Sequence, residues 1–140
     1  MMRKLEAYFG MRVVTYCVMS NHYHILVEEP DSESVASLDA DEILRRIKLL
    51  KDATALKTVK QELERARDKG DSKWEEEILN RYRRRMGDVS VFMQELKQRF
   101  SQWYNKRNSR KGTLWEGRFK SVLVEGDDQA LMTMAAYILT

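Results

Sequence analysis

Two histidines stand one residue apart in Asn21-His22-Tyr23-His24, inside the apolar run from Val13 to Val27, and the chain has no others. On a β-strand, side chains alternate between faces, so His22 and His24 would point one way and Tyr23 the other. Neutral imidazoles converging from one face can hold a single metal ion and leave coordination positions open, as a catalytic site needs. The same tripeptide also suits ordinary half-buried polar residues on a strand. Its surroundings therefore have to decide.

The elements that would position the pair are legible. Arg3 to Phe9 reads as the end of an amphipathic helix closed by Gly10, a residue type suited to the position after a helix. Arg12 to Met19 is rich in β-branched and aromatic residues, Ser20-Asn21 suits a tight turn, and His22 to Glu28 reads as a second strand ended by Pro30-Asp31. The histidines would thus open the second arm of a β-hairpin. Residues 32–87 change character, with many Lys, Arg and Glu and no proline. Their apolar stripes are Ile43/Ile47/Leu50, Leu56/Val59/Leu63 and Trp74/Ile78/Tyr82. Two or three helices are expected, with Asp71 and Asp88 as N-caps after Gly70 and Gly87.

Phe92, Leu96, Phe100 and Trp103 then recur on one side of a long amphipathic helix, which places Trp103 with the core. A basic loop from Arg107 to Gly112 leads to Leu114-Trp115. Arg118 to Glu125 reads as a third strand, and Asp127 or Asp128 caps a last helix carrying Leu131, Met134, Ala135 and Tyr137.

At 140 residues, 43% hydrophobic and 34% charged, the chain is expected to form one domain, 1–140, with 32–87 as a helical insertion. No apolar run is long enough for a membrane span and no signal-peptide pattern is present, so a soluble, cytoplasmic protein without a membrane partner is expected. The lone Cys17 excludes an internal disulfide framework and a multi-cysteine zinc site. The net charge of +3 is unevenly spread. Between Lys97 and Lys120, eight basic residues face only Glu116, a local excess of seven. That segment is where a polyanion would bind. Arg107, Arg110, Lys111, Arg118 and Lys120 are its phosphate-contact candidates, and Trp103, Tyr104 and Trp115 are candidates for stacking on unpaired bases, with the apolar stripe favouring a core place for Trp103.

Three ordered blocks carry a family resemblance. Tyr16-Cys17-Val18-Met19-Ser20-Asn21-His22-Tyr23-His24-Ile25-Leu26-Val27 resembles the signature of the HUH single-tyrosine transposases of the insertion-sequence-200 type. Gly112-Thr113-Leu114-Trp115-Glu116-Gly117-Arg118-Phe119-Lys120-Ser121 and Ala136-Tyr137-Ile138 resemble later blocks of their REP-associated branch. The resemblance covers residues 1–30 and 89–140, not the helical insertion. It implies an α+β fold built on a ferredoxin-like antiparallel sheet. It also implies transposition by cleavage and rejoining of hairpin-bearing single-stranded DNA, in a prokaryotic cytoplasm at the nucleoid. His22 and His24 would hold Mg²⁺ or Mn²⁺, with Mn²⁺ favoured by imidazole. Tyr137 would be the nucleophile that forms a 5′-phosphotyrosine.

Against the family pattern, the first strand and most of the first helix would precede Met1. An Asn or Gln that completes the metal shell would fall just beyond Thr140. A sheet lacking its first strand is therefore expected, in a chain shortened at both ends. Two other readings stay open: a non-catalytic DNA-binding remnant, and a helical protein-interaction module in which residues 39–106 do the work. Monomer and homodimer are both compatible with the resemblance.

Overall fold

The computed structural model describes residues 1–18, 22–109, 111–112 and 129. Among these the chain is α+β, with six helices and a two-stranded antiparallel sheet. The order is α1 (Met2–Phe9), β1 (Arg12–Val18), β2 (Tyr23–Glu28), α2 (Ser32–Ala36), α3 (Ala40–Leu50), α4 (Ala53–Asp68), α5 (Ser72–Met86) and α6 (Val89–Asn108). None of the described helices is long and apolar enough to cross a membrane.

The chain divides into two compact units. The first comprises residues 1–11 and 29–92, and the second comprises 12–28 and 93–140. In the first, α1 packs on α3 and α5, α3 on α4, and α4 on α5. Gly10 closes α1 with φ 68°, the left-handed conformation that costs an L-residue a Cβ clash. Phe9 meets Phe92 edge-to-face at 5.6 Å, and both are essentially fully buried with Leu5, Ile43, Ile47, Leu63, Ile78 and Met86. Of the expected stripes, Ile43, Ile47, Val59, Leu63 and Ile78 are core, while Leu50, Leu56, Trp74 and Tyr82 are half-buried at its margin.

The insertion contains four helices rather than two or three, because it has more N-caps than Asp71 alone. Asp31, Asp39, Asp52 and Asp71 each accept a backbone N–H from the third residue on, at 2.7–3.0 Å. Each carboxylate thereby satisfies one orphan donor and faces the positive end of a helix dipole. The Ser34 amide holds the Asp31 carboxyl below its ordinary pKa. Asp88 does the same for α6, accepting from Ser90 N at 2.8 Å.

Guanidinium groups tie the helices together across long sequence separations. Arg46 donates to the Tyr8 carbonyl at 3.2 Å and to Glu42 at 3.0 Å. The fork of Arg45 on Glu42, helped by Arg46, lowers the Glu42 carboxyl to a pKa of about 2. Arg83 donates to the Leu38 carbonyl at 2.9 Å and also pairs with Glu76.

In the second unit, β1 and β2 form the expected hairpin. Tyr16 faces Ile25, Cys17 faces His24 and Val18 faces Tyr23. Val13 pairs with Val27 and Thr15 with Leu26, so Val14 is an extra residue and the ladder carries a bulge there. An Arg12–Glu28 ion pair closes the open end. The expected Ser20-Asn21 turn, third strand and last helix lie outside the described residues.

Candidate metal centre and nucleic-acid interface

β2 begins at Tyr23, so His22 is the residue just before the strand and His24 the second residue within it. Alternation still brings the two together. Their ring centroids are 5.2 Å apart with planes at 87°, and both side chains are exposed. With metal–nitrogen bonds of about 2.1 Å, two imidazoles on one ion place their centroids roughly 4.5–5.5 Å apart. The observed separation therefore fits a shared ion.

Tyr23 lies on the opposite face, half-buried beside its cross-strand partner Val18, and burial raises its phenol pKa. A raised pKa keeps that hydroxyl protonated and makes it a poor nucleophile at neutral pH. Cys17 shares the face of His24 as its cross-strand partner, a proximity that follows from hairpin register. Among the described residues, however, no group of three His, Cys, Asp or Glu side chains is placed to hold a metal. The donor set among the described residues is two imidazoles. It suits an ion that keeps open positions, unlike the closed shell of a structural zinc site.

The basic segment begins on α6. Lys106 and Arg107 are exposed in its last turn, where cations also complement the negative end of the helix dipole. Lys111 is exposed just beyond. The chain is tied back to the helix there by Asn105, whose amide donates to the Gly112 carbonyl at 2.6 Å. Arg99 is paired with Glu95 at 3.1 Å. Among the described residues, no carboxylate forms an ion pair with Lys106, Arg107 or Lys111. Arg110, Trp115, Arg118, Lys120 and Tyr137 lie outside the described residues.

Trp103 departs from expectation. Phe92 and Leu96 are core, Phe100 is half-buried, but Trp103 is 47% exposed. Burial falls along the stripe toward the end of α6 although the i+11 spacing keeps Trp103 within about 20° of Phe92 around the helix axis. Phe100 supports the indole at 5.6 Å and stacks with Tyr104 at 6.4 Å, and the Arg107 guanidinium lies over the Trp103 ring at 4.8 Å. The signal for this arrangement was the i, i+4 spacing of Trp103 and Arg107 in a segment free of acids. Comparison of the chain with protein-family models, with curated proteins and with solved structures finds no match.

Proposed function

We propose that this protein acts on single-stranded DNA by metal-dependent cleavage and strand transfer through a 5′-phosphotyrosine, on a ferredoxin-like HUH scaffold. The convergence of His22 and His24 at 5.2 Å on the leading end of β2 carries the reading. The ordered Trp115-to-Arg118 and Tyr137 motifs and the acid-poor basic segment support it.

His22 and His24 would hold a divalent ion, Mg²⁺ or Mn²⁺, which when bound supplies positive charge to the non-bridging oxygens of the scissile phosphate. Their neutral tautomers offer one ring nitrogen each as a lone-pair donor. Tyr137 is the nucleophile: its phenolic oxygen forms a bond to phosphorus as the bond to the 3′-oxygen breaks. The phenolic proton is lost, and the leaving 3′-oxygen gains one to become a hydroxyl. The phosphotyrosine keeps the energy of the broken ester, so rejoining to a 3′-hydroxyl needs no nucleotide cofactor. Arg107, Arg110, Lys111, Arg118 and Lys120 would hold the DNA by its phosphates.

The test is a covalent-adduct assay with Mn²⁺ and a hairpin-flanked single-stranded oligonucleotide. Wild type should form a denaturant-resistant protein–DNA adduct that Tyr137→Phe abolishes while retaining DNA binding. His22→Ala and His24→Ala should each weaken Mn²⁺ binding, read by paramagnetic resonance without any DNA. Salt-sensitive DNA binding with no adduct would replace this reading by that of a non-catalytic DNA-binding protein.

A further inference from the structure

We infer that Trp103 and Arg107 form a platform on which one unpaired DNA base stacks; the inference rests on the single-stranded DNA reading above. An indole 47% exposed at the surface of a helix leaves a large flat apolar ring in water. Phe100 behind it, at 5.6 Å, limits how far the ring can turn away.

The neighbours of Trp103 on the helix surface are basic. Arg99 stands four residues before it, and Lys106 and Arg107 stand three and four after it. The Arg107 guanidinium over the indole is already a planar cation on a π-face, the arrangement that a nucleobase can enter or extend. From Lys97 to the end of α6 there is no acidic residue. The surface therefore complements a polyanion. An exposed ring flanked by cations fits a planar base on a phosphate backbone better than the side chains of an acidic peptide. Lys106 and Arg107 are positioned to meet the phosphates on either side of the stacked nucleotide.

The experiment measures binding of the full chain to two labelled probes of equal length, oligothymidylate and an abasic oligonucleotide with the same phosphates. Wild type should prefer the thymidylate by about tenfold, the scale of one base–aromatic stack. Trp103→Ala should erase that preference while leaving abasic binding and its salt dependence unchanged. Trp103→Phe should keep most of the preference. Arg107→Gln should weaken both probes and reduce the salt slope by about one.

Retention of the preference by Trp103→Ala overturns the platform. So does an equal loss in the Ala and Phe variants accompanied by a lowered unfolding midpoint, which would mark Trp103 as a packing residue. Wild-type binding with salt dependence but without base preference overturns the platform alone. Failure of wild type to bind either probe at low salt overturns the single-stranded DNA reading itself.

Discussion

The described residues of the helical unit and of the hairpin-bearing unit differ in how they hold their large apolar side chains. Among the described residues, the eight largest fully buried side chains lie in the helical unit, from Leu5 to Phe92. Five of its arginines pair with its own carboxylates, Arg45 and Arg46 with Glu42, Arg67 with Glu75, Arg81 with Glu62 and Arg83 with Glu76, as Arg12 with Glu28 and Arg99 with Glu95 do in the second unit. Among the described residues of the second unit, the buried side chains are Leu26, Met93, Leu96 and Ser101, while Tyr16, Val18 and Trp103 stand about half exposed. Its described helix ends on cations without carboxylate partners, and both Ser101 Oγ and Asn105 Oδ1 are buried without a hydrogen bond. The described part of the second unit presents exposed rings and cations, and that unit holds all the residues of the proposed chemistry.

Mutations at matched aromatic positions give the sharpest way to break this contrast. Phe92→Ala should cost about 3–5 kcal/mol in urea unfolding, because it removes a fully buried ring from its contact with Phe9. Trp103→Ala should cost less than about 1 kcal/mol. Equal losses at the two positions would show that the apparent division is not an energetic one.

Backbone conformation comes next. Gly10→Ala should cost about 1–2 kcal/mol, since the left-handed φ penalises any Cβ, whereas the nearest atoms to that Cβ, at 3.4 Å or more, add little. A smaller effect, about 1 kcal/mol, is expected for Asp71→Ala, which leaves the Trp74 amide uncapped. Both are read from thermal or urea midpoints.

The smallest expected effect concerns pH. The Glu42 carboxyl is depressed to about 2, below its unfolded value, so the stability it contributes is present above the unfolded pKa of about 4.3. That contribution fades as pH falls from there through about 2. Glu42→Gln should therefore destabilise the protein by up to about 1 kcal/mol at pH 7, with the difference from wild type vanishing near pH 2. A difference that persists at pH 2 would assign the effect to lost packing rather than to charge.

Much of this was legible because it is written in local rules. β-branched and aromatic residues mark the two strands of the hairpin, and strand alternation alone predicts the meeting of His22 with His24. Gly10 and Asp71 mark boundaries by conformational and capping preferences that need no partners. The three further caps of the insertion, Asp31, Asp39 and Asp52, were also encoded locally, but Asp31 follows Pro30 as the end of a strand and Asp39 stands beside Asp41 and Glu42, where a cap resembles a solvated face. Long-range facts left no such trace. The reach of Arg46 to the Tyr8 carbonyl and of Arg83 to the Leu38 carbonyl depends on which helices become neighbours. The bulge at Val14 slips the register without any glycine to announce it. Trp103 was misplaced by reading a helical stripe as core along its whole length, when burial falls from Phe92 and Leu96 through Phe100 to Trp103.

The turn between α4 and α5 suggests a practical use of the fold. Gly70 sits at its tip with φ 63°, and a Cβ there would meet nothing within 4 Å. An exposed tip of this kind is where chains accept extra residues. A fluorophore or affinity peptide spliced in beside Gly70 would report on the protein from a turn whose backbone has room for it.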